Sequence, residues 1–150
     1  MKKAATLFAL LCSGLLPLAA QSNQLLDQIL AQPRLTYAQA AYLLLTAAKK
    51  LPEQSSPEQA AEALASSGWK VKARPADQPM PLGEYSYLLM QAFGIRGGLM
   101  YHLFPGPRYA TRELASRKWI TGRAWPGRAL SGEEAVRLLG IAMESKGGRS

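Results

Sequence analysis

The sequence predicts an all-α fold made of helical repeats, and two recurring units predict it. The first occurs three times, as Leu35-Thr36-Tyr37-Ala38-Gln39, Met80-Pro81-Leu82-Gly83-Glu84 and Leu130-Ser131-Gly132-Glu133-Glu134. Each copy runs on into an apolar stripe: Ala40, Leu43, Leu44 and Ala47; Tyr85, Leu88, Leu89 and Ala92; Ala135, Leu138, Leu139 and Ala142. Such spacing is the core-facing side of a helix. The second unit ends in tryptophan, at Leu64-Ala65-Ser66-Ser67-Gly68-Trp69 and Leu114-Ala115-Ser116-Arg117-Lys118-Trp119, and each Trp stands eleven residues before Met80 or Leu130. A shared period of about fifty residues marks units that bury their apolar faces on one another. Three equivalent long helices around one core, with shorter helices outside, are expected.

The elements follow in chain order. Lys2 and Lys3, the apolar stretch from Ala4 to Leu18, and Leu18-Ala19-Ala20 before Gln21 read as a secretory signal peptide over residues 1–20. Residues 23–31 form a short amphipathic helix, with Leu25, Leu26, Ile29 and Leu30 on one side. Residues 36–49 form the first long helix. Thr36 caps it and Gln39 completes a capping box. Ser56, Pro57 and Gln59 open the next helix, which stops at Gly68. The second long helix spans 82–93 and ends at Gly94. Residues 97–107, rich in Gly, Pro and aromatics, read as an ordered loop whose apolar side chains plug the core. A fourth helix covers 108–117. The last runs from Ser131 to about Glu144, with Ser131 and Glu134 repeating the box, and 145–150 is a polar tail. One domain is expected over 21–144, in units of about 23–50, 56–94 and 107–144.

These repeats resemble S-layer homology modules. That family repeats a short helix, a loop with Gly and Pro, and a second helix opening with a motif close to Ile-Thr-Arg-Ala-Glu. Leu35-Thr36-Tyr37-Ala38-Gln39 and Leu130-Ser131-Gly132-Glu133-Glu134 occupy that motif, and Tyr109-Ala110-Thr111-Arg112-Glu113-Leu114 is similar to the first helix. The resemblance implies a three-lobed prism whose grooves bind cell-wall polymer. The arginine that contacts polymer in the family is replaced here by Tyr37, Leu82 and Gly132.

Charge narrows the expected partners. The whole chain carries a net +8, and without Lys2 and Lys3 it carries 16 basic and 10 acidic side chains. A basic exported protein meets anionic envelope material, and nucleic acid is not an expected partner outside the cytoplasm. The positive charge concentrates in Arg96, Arg108, Arg112, Arg117, Lys118, Arg123 and Arg128, against one acid, Glu113. Arg108 and Arg112 lie one helical turn apart, and guanidinium suits phosphate and carboxylate. The candidate polymer-binding residues are therefore Arg108, Arg112, Arg123 and Arg128, with Tyr109, Trp69 and Trp119 as aromatic platforms. Core anchoring of the two tryptophans is the competing expectation. An anionic wall polymer is the expected partner. A docked envelope protein is the alternative, and a membrane surface is a further contact without an integral span.

No chemistry-bearing constellation is present. The chain has one histidine, His102, and one cysteine, Cys12, which lies inside the leader. A disulfide is excluded, as is a cysteine-based metal site in the mature chain. Acylation of Cys12 is disfavoured by Leu11 before it. No nucleophile triad, zinc spacing or phosphate-binding glycine motif can be assembled, so the expectation is a non-catalytic protein with no metal and no cofactor.

Overall fold

The computed structural model describes residues 16–147. Among them are seven α-helices and no strand beyond two isolated bridges. They are α1 (Leu16–Leu30), α2 (Tyr37–Ala47), α3 (Pro57–Ala65), α4 (Leu82–Phe93), α5 (Leu99–Leu103), α6 (Pro107–Ser116) and α7 (Gly132–Gly147). The long helices start where their caps place them. Thr36 Oγ1 accepts from the Gln39 N–H at 3.3 Å while Gln39 Oε1 accepts from the Thr36 N–H at 3.1 Å. Ser56 and Gln59 do the same for α3.

At α7 the box is half made. Ser131 Oγ accepts from the Glu134 N–H at 3.2 Å, but the Glu134 carboxylate turns to Arg128. In α4 Pro81 stands at the cap, and Glu84 in the same register turns to Arg74.

The core gathers the expected residues. Leu43, Leu44, Leu88, Leu89, Leu138 and Leu139 are all buried in one cluster, joined by Tyr37, Tyr85, Met80, Leu114 and Ile29. The long helices α2, α4 and α7 touch one another. Tyr85, fully buried, donates its hydroxyl to the Ala135 carbonyl at 2.9 Å and stitches α4 to α7. Burial pushes its pKa far above the usual phenol value.

Three equivalent residues close a ring at the centre. The Leu35 N–H donates to the Leu130 carbonyl (2.7 Å), the Leu130 N–H to the Met80 carbonyl (3.1 Å), and the Met80 N–H to the Leu35 carbonyl (2.8 Å). The first N–H of each long helix is satisfied by the next unit in the opposite cyclic sense: Tyr37 by the Gln78 carbonyl, Leu82 by Arg128, and Gly132 by Gln32. These donors have no partner within their own helices, so each unit supplies what its neighbour lacks. The short helices follow the same rule. α3 packs on α2, α6 on α4 and α1 on α7. Each short helix thus covers a neighbouring unit's long helix, and α1 closes the ring.

Four expectations on the elements are corrected. The helix expected over 23–31 runs from Leu16 to Leu30 among the described residues. The start of the expected leader, with Cys12, lies outside the described residues. The last helix continues to Gly147, with Ser145 Oγ donating to the Ala142 carbonyl at 2.8 Å. Residues 97–107 contain the short helix α5. They do not plug the core: Leu99, Met100, Leu103 and Phe104 face solvent, and only Tyr101 reaches inward.

Candidate functional site

The structure separates the predicted site residues into three places. Arg108, Tyr109 and Arg112 lie on α6, whose inner face is buried through Ala110, Thr111 and Leu114. Arg108 and Arg112 are exposed. Tyr109 stacks on Phe104 with ring centroids 6.2 Å apart. Arg112 shares a shallow groove between α5 and α6 with Leu99, Met100 and Tyr109.

Arg123 and Arg128 lie in the connector before α7, in a second groove with Thr121, Ser131, Glu134 and Arg137. Their roles differ. Arg123 is exposed. Arg128 is spent within the fold: Nη1 and Nη2 donate to the Glu134 carboxylate at 2.8 and 2.6 Å, and Nε donates to the Arg123 carbonyl at 2.7 Å. The hydrogen bonds to Glu134 raise its pKa further. Arg128 is thus a structural clamp, with little donor capacity left for a ligand.

Trp69 and Trp119 both pack against the core cluster while staying half-buried. Lys50 Nζ sits 5.3 Å from the Trp69 ring centroid, and the Arg117 guanidinium 5.8 Å from that of Trp119. Each indole packs partly against the core with a cation near its ring, which fits an anchor better than a sugar platform.

Three acids are taken up in ion pairs, while Glu133, which lines the groove with Arg123, and Glu144 are exposed and make none among the described residues. Glu84 pairs with Arg74 at 2.6 Å, Glu113 with Arg117 at 2.9 Å and Glu134 with Arg128 at 2.6 Å. Glu113 also accepts from the Gly98 N–H at 2.8 Å. That backbone bond, then Arg117, holds its pKa below the usual carboxylate value against the opposing effect of burial. Arg96, Arg108, Arg112, Lys118 and Arg123 make no ion pair among the described residues.

The charge run in the sequence hid two further cations. Lys70 and Lys72 border a groove of about 460 Å³ with Val71, Glu84, Tyr87, Leu88 and Pro107. It occupies the place in the second unit that the Thr121–Arg123 groove occupies in the third. The signal was the fifty-residue period, which sets Val71, Glu84 and Tyr87 of the first groove against Thr121, Glu134 and Arg137 of the second.

The motif position that carries arginine in S-layer homology modules is sealed here. Tyr37, Leu82 and Gly132 are all buried. Among the described residues no cluster of His, Cys, Asp and Glu is arranged to hold a metal ion, and His102 is exposed on α5. No described helix is long and apolar enough to cross a membrane. No family model matches the chain, and no curated protein or solved structure is significantly similar to it.

Proposed function

We propose that the chain is an exported, non-catalytic cell-envelope module that binds an anionic wall polymer or peptidoglycan-associated glycan. One observation carries the reading. Glu84, Glu113 and Glu134 are neutralised by Arg74, Arg117 and Arg128, while Arg108, Arg112, Arg123, Lys70 and Lys72 remain exposed without an ion pair among the described residues. Fixed cations beside shallow grooves attract a flexible polyanion without demanding a deep pocket.

The arrangement of units is read as S-layer-homology-like. In support stand the recurring motifs, the cyclic order of hydrogen bonds at Leu35, Met80 and Leu130, and the short helix contributed by each unit to its neighbour. Polymer then lies along the outer basic surface, since the family's contact position is buried.

The test is co-sedimentation with purified sacculi over a salt series. Retention should fall as salt rises, because exposed charges are screened over about 8 Å at physiological ionic strength. Arg108→Gln with Arg112→Gln should weaken retention and leave Tm unchanged. Failure to bind sacculi at low salt, together with capture of one envelope protein, would replace this reading with that of a docking adaptor.

A further inference from the structure

We infer that α5 is a contact for anionic lipid, whose apolar tip enters the headgroup region of a phospholipid bilayer. This goes beyond polymer binding: its apolar side chains are not among those proposed for polymer, although Arg108 and Arg112 flank both surfaces.

The tip is unusually apolar for a solvent-facing element. Leu99 is 72% exposed, Met100 45%, Leu103 56% and Phe104 60%, four of the most exposed large hydrophobic side chains among the described residues. They fall within six residues, Leu99 and Met100 each one helical turn from Leu103 and Phe104, and clustered exposed apolar surface marks a contact site.

The tip is also held in place. Tyr101 turns inward and meets Tyr87 edge-to-face, with centroids 6.2 Å apart. Burial, then the neighbouring Tyr87, pushes its pKa up to about 12. Gly97 passes so close to Tyr101 that a Cβ on it would lie 2.5 Å from that ring. The Gly98 N–H is tied to Glu113, and the Arg96 carbonyl accepts from Arg117. The exposed side chains therefore stand on a fixed platform, not on a loose loop.

Charge selects the occupant. Arg96 precedes the tip, and Arg108 and Arg112 follow it on α6; all three are exposed, and the one nearby acid, Glu113, is consumed by Arg117 and Gly98. Two copies of this chain meeting tip to tip would bring these arginines together, which disfavours self-association. A surface that is negative outside and apolar beneath complements both features. Phe104 stacked on Tyr109, beside the arginines, has the composition of an interfacial aromatic belt. A helix of five residues is about 7.5 Å long, within the depth that interfacial elements reach.

The experiment is peptide-resolved hydrogen exchange on the full chain in three settings: free, with phosphatidylcholine vesicles, and with phosphatidylcholine vesicles containing phosphatidylglycerol. A local readout at α5 is independent of any adsorption through the N-terminal segment. Exchange over residues 99–104 should slow by about tenfold or more on the anionic vesicles alone. Leu103→Ser with Phe104→Ser should abolish that slowing. Because both side chains are exposed, Tm and retention on sacculi should not change. The inference is overturned if residues 99–104 stay unprotected on anionic vesicles, or if the double variant is protected as well as wild type. Protection that appears only with an added envelope protein, or only on dimerisation, would also overturn it. Loss of sacculus binding with α5 protection intact would sink the polymer reading and leave this one standing.

Discussion

Gly132→Ala should destabilise this protein, although the same change in an isolated helix would stabilise it. A Cβ built on Gly132 lies 1.6 Å from the Ile29 carbonyl oxygen and 2.6 Å from its carbon. No rotamer relieves such a contact, because both partners are backbone. The end of α1 must move away from α7. With it go the packing of Ile29, which is fully buried, and the 2.9 Å bond from the Gly132 N–H to the Gln32 carbonyl. Losing the burial of an isoleucine costs about 2–5 kcal/mol, and losing a hydrogen bond about 1 kcal/mol. Helix propensity returns up to about 1 kcal/mol. Partial relaxation leaves a net loss of about 2–4 kcal/mol, which lowers Tm by roughly 10 °C in a domain of this size. Gly140 supplies the control. It lies on the same helix with nothing within 4 Å of its built Cβ, so Gly140→Ala should gain about 0.5–1 kcal/mol. Urea denaturation followed by circular dichroism measures both. Equal or raised stability of Gly132→Ala would refute the docking of α1 on α7.

Lys118 holds φ at 61°, in the place before Trp119 where the other copy has Gly68 at 79° before Trp69. Lys118→Gly should therefore raise the urea midpoint by the equivalent of about 0.5–1 kcal/mol, and a lowered midpoint would show that the backbone there is not strained. Glu113 has a lowered folded pKa, so its contribution is full above the ordinary glutamate pKa of about 4.3 and is lost as pH falls through the lower folded value. The Tm difference between wild type and Glu113→Gln should accordingly shrink in acid; a difference that holds constant would show that the carboxylate charge is not involved.

The helix starts were legible because caps act locally: Thr36 with Gln39 and Ser56 with Gln59 need only a spacing of three residues. The core leucines were legible because one stripe recurs three times. Which neighbour each short helix covers was not, since a period gives the order of units along the chain and is silent on their exchange in space. α5 escaped because five residues between Gly98 and Phe104 are too few to show a helical period. Arg128 was expected at the surface because a charge run counts arginines without their partners. Its partner, Glu134, is six residues away across the turn into α7. At Gly132 the backbone of α1 leaves no room for any side chain, a constraint between units that the sequence alone does not reveal.

The ring joining Leu35, Met80 and Leu130 also bears on how the chain reaches this state. Two of its members are available early in synthesis, but the donor of Leu35 and the carbonyl of Met80 have no partner until Leu130 emerges. The helix that covers α7 is the earliest in the chain of those described, so the two ends of the domain must find each other before either is sheltered. Closing loops of this length is slow, and its entropy is recovered only when the last contact forms. A nascent chain stopped after the second unit would carry open backbone groups at its centre and a bare helix at its start. Such a chain has no halfway house to rest in, and it invites another copy's third unit to complete it. Domain exchange between chains is therefore the failure that this architecture is built to risk, and rapid release of the whole chain is the condition that avoids it.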